Sequence, residues 1–154
     1  MDCRVSTISE RPELASIVAR WRVHAFFDYP GGYTIEEMAA LILEPSVGPK
    51  ETFILFDEDR PVGTAALIRT DLETRPDLTP WLAGLYVEPA FRGRGYATAL
   101  IRRVEAFGQA ASVPVLWLYT LMAEAFYARL GWQRAGTEDE RGEEVILMKR
   151  ILSG

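Results

Sequence analysis

The residues with the most chemistry in them lie in one stretch, Leu85-Tyr86-Val87-Glu88-Pro89-Ala90-Phe91-Arg92-Gly93-Arg94-Gly95-Tyr96-Ala97. An apolar strand, a short loop and a glycine-rich helix start follow one another there. Gly93 and Gly95 let the backbone come close to a ligand, and the first turn of a helix leaves its N–H groups unpaired. Those donors and the helix dipole suit a phosphate or pyrophosphate, to which Arg92 and Arg94 can add charge-assisted contacts. The loop is not a P-loop, because no Gly-Lys-Ser/Thr follows. It also departs from a dinucleotide fingerprint at Thr98, where a third glycine belongs. A plainer reading stands beside this one: turn glycines flanked by surface arginines.

The other reactive side chains are few. A single His, His24, and a single Cys, Cys3, leave no zinc cluster built on those ligands and no intramolecular disulfide. No metal is expected. Cys3 has no base paired with it in the sequence, and its place near the terminus suggests a frayed segment. Glu88, Asp71, Glu73, Asp77, Asp28 and His24 are all candidate proton acceptors. Glu88 lies beside the strand that feeds the loop, and His24 has the right intrinsic pKa for base work. Spacing alone does not choose between them.

These residues need elements to hold them. Residues 4–9 alternate as an edge strand does. Pro12 opens a helix with Leu14, Ile17, Val18, Trp21 and Ala25 on one face. Thr34 caps a second helix with Glu37 three residues on, and its apolar positions are Ile35, Met38, Ala39 and Ile42. Residues 52–56 and 62–68 form a hairpin, a polar loop covers 70–80, and a strand spans 81–88 until Pro89 closes it. A helix over 94–111 buries Ala97, Leu100, Ile101, Val104, Phe107 and Ala111, with Arg102, Arg103 and Glu105 off that face. A strand over 113–120, a short helix over 123–130 ended by Gly131, and two closing strands at 132–135 and 145–149 complete the order. The fold class is mixed α/β, helices on a mostly antiparallel sheet, in one domain over residues 1–154.

Composition agrees with a single folded unit. The chain has 154 residues, 49% hydrophobic and 25% charged, which excludes disorder and collagen-like fibres. A net charge of −5 and a pI of about 5.0 disfavour a nucleic-acid binder. No apolar run is long enough to cross a membrane, and Met1 to Arg4 lack the apolar core of a leader, so a cytoplasmic protein is expected.

The Arg92-Gly93-Arg94-Gly95-Tyr96-Ala97 segment resembles the Arg/Gln-x-x-Gly-x-Gly/Ala loop of the GCN5-related N-acetyltransferase (GNAT) superfamily. The Leu-Tyr-Val-x-Pro strand before it and Ala123-Glu124-Ala125-Phe126-Tyr127-Ala128-Arg129-Leu130-Gly131-Trp132 also resemble pieces of that family, in the same order. The resemblance implies a GNAT-like sheet of about six to seven strands with one splayed strand pair, and about four helices. It implies acetyl-CoA or another acyl-CoA as co-substrate. Amides from Gly93 to Ala97, with Arg92, Tyr96 and Thr98 nearby, would hold the pyrophosphate. Leu85, Tyr86 and Val87 would pair with the pantetheine arm. Thr120 occupies a place where the family often carries Asn.

Direct attack by a neutral amine on the thioester is the implied reaction, with a backbone N–H around Tyr86 to Val87 for the oxyanion. Tyr127 would be the general acid for the departing thiolate, while helical spacing alone would make it core beside Phe126 and Leu130. A phenol of pKa ~10 stays protonated at neutral pH and can donate to a thiolate whose conjugate acid sits near ~8.5. Glu88 is retained as a candidate catalytic base. The acceptor would be a small-molecule amine or a peptide or protein amino group, met by residues 26–33 and 70–80. Asp28, Asp71, Glu73 and Asp77 outnumber Arg75 there, and Phe26, Phe27, Tyr29, Tyr33 and Trp81 would wall an aromatic pocket or simply be core. Two rivals to an enzyme remain open: an acyl-CoA sensor without turnover, and a subunit completed by a partner. The strands within 132–149 could pair across a homodimer.

Overall fold

Apolar β-prone segments and amphipathic helices alternate along the chain, and their buried stripes meet on one twisted sheet. The computed structural model describes residues 3–152; Met1 and Asp2, read above for a leader, lie outside the described residues. The strands are β1 (Cys3–Thr7), β2 (Glu51–Asp57), β3 (Arg60–Ile68), β4 (Trp81–Val87), β5 (Val115–Thr120), β6 (Gln133–Glu140) and β7 (Glu143–Ile151). The helices are α1 (Ala15–Phe26), α2 (Ile35–Leu43), α3 (Tyr96–Ala110) and α4 (Glu124–Arg129). The seven strands lie in the order β1-β2-β3-β4-β5-β7-β6, antiparallel except for the parallel pair β4–β5. This is the mixed α/β architecture expected, with seven strands and four helices.

Alternation in β2 divides the core. Phe53 and Leu55 join one cluster with Leu100, Ile101 and Val104 of α3 and with Tyr127. Ile54 and Phe56 join another with Val18, Ala19 and Trp21 of α1 and with Met38 and Ile42 of α2. Side chains of successive strand residues point to opposite faces, so each face acquires its own helices. A third cluster, Leu72, Trp81, Val145 and Leu147, fills the α1 face where the loop after β3 folds back over the sheet.

Several local expectations need correction. Cys3 is exposed but paired in β1 opposite Asp57, so the strand begins there instead of fraying. Ala25 is exposed, and the buried face of α1 is Ala15, Val18, Ala19, Trp21 and Arg22. Glu105, placed off the face of α3, is buried at 8% exposure. It earns that position by polar contacts: Trp132 Nε1 donates to Glu105 Oε2 at 3.0 Å, and Arg102 reaches Oε1 at 2.8 Å. Helix α3 starts at Tyr96, not 94, because Gly95 is a left-handed N-cap at φ +81°, and Ala111 is its C-cap. The strand expected at 132–135 runs to Glu140, its polar composition being that of a sheet edge.

Candidate active site

Strands β4 and β5 touch at one register pair, Trp81 opposite Trp117, and then part. Beyond it, each remains paired on its outer side only, β4 with β3 and β5 with β7. Parallel neighbours normally continue their ladder, so a splay leaves backbone donors and acceptors of 83–87 facing a gap. The β3–β4 register also shifts between Thr64 and Ala66, across from Gly84 and Leu85. Gly84 sits there at φ +65°. Glycine in a strand interior marks such a bulge, because its backbone reaches a region closed to larger residues.

The gap leads to the glycine-rich loop. Gly93 and Gly95 both have positive φ, and a Cβ on either would meet nothing within 4 Å. The space above them is open, and the first N–H groups of the 15-residue α3 open onto it with no side-chain cap. Arg92 Nε donates to the Val87 carbonyl at 2.7 Å, tying the loop to the end of β4. Arg94 pairs with Asp57 at 3.1 Å, and the Tyr96 hydroxyl donates to the same carboxylate at 2.5 Å. Asp57 therefore anchors the loop from the β2–β3 turn. Nothing in the linear pattern marks Asp57 as more than a charge in the hairpin turn.

Leu85 is half-buried against the α3 side and Val87 is 7% exposed there. Tyr86 points the other way, its ring 5.7 Å from Trp21. Its hydroxyl donates to Glu88 Oε1 at 3.2 Å, and Arg60 lies 4.0 Å from the other carboxylate oxygen. Glu88, His24, Tyr86, Trp21, Arg20 and Ile17 line a cavity of about 240 Å³. Ala97 and Thr98 are half-buried in the first turn of α3. Thr120 Oγ1 accepts from Ala123 N at 3.0 Å at the entry to α4. A hydroxyl that accepts keeps its own hydrogen for a further acceptor.

Tyr127 is 8% exposed. Its ring meets Phe126 and Trp132 edge-on at 5.3 Å and 6.2 Å. Burial pushes its phenol up to about 12. The acidic rim expected on residues 70–80 divides. Asp77 pairs with Arg75, which also reaches Glu138 at 3.2 Å, and that hydrogen bond holds Asp77 below its usual range. Asp71 is half-buried, and burial raises its carboxyl to about 7, Arg22 opposing that rise and Glu140 adding to it, while its charge helps to raise the Tyr119 phenol. Trp81 is wholly buried core; Phe27 packs with Tyr29 and Tyr33, and Phe26 is exposed. Two signals for this inner group were present in the sequence: an Arg at core spacing in α1, and a glycine inside an apolar strand. Tyr119 and Glu140 carried none.

Comparison with solved structures finds the same architecture end to end. An aminoglycoside 6'-N-acetyltransferase complexed with coenzyme A superposes with a TM-score of 0.77 at 16% identity, covering 98% of both chains. An N-acetyltransferase from Staphylococcus aureus Mu50 gives 0.76 at 16% identity, over 99% of this chain and all of the other. The ribosomal-protein-S18-alanine N-acetyltransferase of Escherichia coli gives 0.72 at 18% identity, over 99% and 96%. At such identities the likeness is one of fold. No curated protein matches the chain at a significant level. The family model described as acetyltransferase (GNAT) family matches residues 18–132, and with the splayed strands and glycine-rich loop inside that span, the chain belongs to this family.

Proposed function

We propose that the protein transfers an acetyl group from acetyl-CoA to a primary amine. The observation that carries this reading is the continuity of the β4–β5 gap with the open glycine loop at the head of α3. The family assignment and the coenzyme A complex of a similar fold support the donor. The residues present fit it. Unpaired N–H groups of α3, with Gly93 and Gly95 clearing the approach, would receive the pyrophosphate, and the edge of β4 from Leu85 to Val87 would pair with the amide-bearing arm. Leu121 and Met122, exposed beside Thr120, offer the arm an apolar wall. The bound donor supplies a thioester carbonyl.

This chain then has three tasks. A backbone N–H of β4 just past the bulge, around Tyr86 to Val87, would stabilise charge on the carbonyl oxygen without reorganisation. Tyr127 would donate a hydrogen bond to the leaving sulfur. At about 12, full proton transfer to a thiolate of ordinary pKa ~8.5 is uphill by roughly 3.5 units. In the ligand-free protein the phenol is therefore a reliable donor more than a strong acid. Glu88, which lines the α1-side cavity and directly follows β4, is the candidate proton acceptor. Its test is Glu88→Gln.

Calorimetric titration with acetyl-CoA, then CoA, against an Arg92→Ala/Gly95→Asp double variant tests the donor site. Binding by the wild type with loss in the variant is the expected outcome. A folded wild type that binds neither ligand would remove the reading. Thiol release with an amine panel separates an enzyme from an acyl-CoA sensor, which would bind and release nothing.

A further inference from the structure

Asp57 ends β2 with a strand partner on each side, Cys3 of β1 and Arg60 of β3. Its backbone is therefore fixed, and its side chain is only 16% exposed. Two donors from the glycine-rich loop converge on one of its oxygens. Arg94 Nη1 donates to Asp57 Oδ2 at 3.1 Å, and the Tyr96 hydroxyl donates to the same atom at 2.5 Å. Tyr96 is the first residue of α3 and is buried. One carboxylate thus ties the hairpin turn to the head of the helix.

The other side chains of the loop are committed in the same way. The Arg94 guanidinium lies 4.9 Å from the centre of the Phe91 ring, and that of Arg60 lies 5.3 Å from it. Arg92 gives Nε to the Val87 carbonyl at 2.7 Å, and its guanidinium lies 5.6 Å from the centre of the Tyr86 ring. Both arginines of the loop are therefore held by the protein before any ligand arrives. Between the fastened side chains stand Gly93 and Gly95, with open space above them.

We infer that Asp57 is a positioning residue of the donor site. By holding Arg94 and Tyr96 it fixes the backbone of 93–98, so that the pyrophosphate is received by amides and not by the arginine side chains of the loop. The inference rests on the acyl-CoA reading above. Asp57 acts through Arg94 and Tyr96, without touching the donor. Taken alone, a carboxylate near an anionic ligand opposes binding by Coulomb repulsion. Two things outweigh that repulsion. Arg94 offsets the charge of Asp57, so the pair presents little net field to the phosphates. The larger effect is order. Glycine loses more conformational freedom on being fixed than any other residue, so Gly93 and Gly95 make this loop costly to hold in one shape. A site that is competent for only a fraction of the time binds with its affinity reduced by that fraction. Hydrogen bonds to an ionised carboxylate are the stronger kind, which suits Asp57 to raising that fraction.

The test is calorimetric titration of acetyl-CoA, CoA and dephospho-CoA into the wild type, Asp57→Asn, Arg94→Gln, Tyr96→Phe and the Asp57→Asn/Arg94→Gln double variant. Ligand-free melting establishes that each is folded. Asp57→Asn removes a negative charge near an anionic ligand, yet its Kd should rise at least ~10-fold. Arg94→Gln and Tyr96→Phe should each raise Kd about threefold. The double variant should bind no worse than Asp57→Asn, since the arginine acts only through that carboxylate. Dephospho-CoA keeps the pyrophosphate, so its Kd should rise by the same factor as that of CoA. Hydrogen exchange at the Gly93 and Gly95 amides should quicken in Asp57→Asn while exchange in β3 and β4 stays as in the wild type.

Tighter binding by Asp57→Asn would overturn the inference and make Arg94 a phosphate ligand that the carboxylate restrains. Unchanged binding would reduce Asp57 to a turn contact. A loss seen with CoA and not with dephospho-CoA would overturn it too, by moving Arg94 to the 3′-phosphate. Should Asp57→Asn not fold, Tyr96→Phe decides, because its hydroxyl is turned to Asp57: an unchanged Kd there would overturn the inference. A folded wild type that binds none of the three ligands would remove the acyl-CoA reading itself.

Discussion

Tyr127 shows how burial and chemistry pull on one residue. Its ring belongs to the apolar cluster that also holds Val87 and Leu118, so part of its role is packing. Its hydroxyl makes no hydrogen bond among the described residues, which leaves it free to serve an incoming sulfur. Tyr127→Phe keeps the ring and deletes only that donor. Turnover should fall at least ~tenfold, the worth of one transition-state hydrogen bond, while calorimetric binding of CoA stays as in the wild type. Unchanged turnover would return the residue to the core. At this scale the loop from Arg92 to Thr98 was legible in advance because it is contiguous, and glycine spacing at a helix start has one physical meaning. The group around Asp71 was not. Arg22, Asp71, Tyr119 and Glu140 come from four segments, and nothing in a linear pattern says that they meet.

The elements were more legible than their ends. Periodicity in α2, with the Thr34–Glu37 capping box formed as spaced, fixes that helix from local rules alone: Thr34 Oγ1 accepts from Glu37 N at 3.1 Å, and Glu37 returns the bond at 2.9 Å. Helix α3 is different, since its most consequential side chain breaks the amphipathic rule. Glu105 is buried because it joins three elements, accepting from Trp132 beside α4 and lying 3.7 Å from Arg150 of β7 as well as bonding Arg102. A charge on the apolar side of a helix is explicable only once those partners are known. Glu105→Ala should therefore destabilise the protein by about 3 kcal/mol, because it strands a buried indole N–H and two arginines. Chemical denaturation measures it. A loss below ~1 kcal/mol would mean that water replaces the carboxylate without penalty.

At the scale of the molecule, the splay between β4 and β5 leaves the centre of the sheet incompletely paired, and the protein should be measurably tighter when that gap is filled. A ligand at a hundredfold excess over its Kd adds about 2.7 kcal/mol, which is roughly 5–10 °C for a chain of this size. Acetyl-CoA should raise the melting temperature by that order in the wild type and not in Arg92→Ala/Gly95→Asp. The ligand-free protein also carries a signature of its own. Asp71 is raised from the ordinary 3.8 to about 7, burial being the main cause. The folded state thus binds a proton that the unfolded state has already released, so ∂ΔG/∂pH is negative between those two values. The stability due to that proton is fully present below the unfolded pKa and is lost as pH rises through about 7. Asp71→Asn, neutral at every pH, should melt with a flatter profile and above pH 7 should exceed the wild type by on the order of 2–4 kcal/mol. Equal melting curves for the two proteins across that range would place Asp71 in ordinary solvent contact.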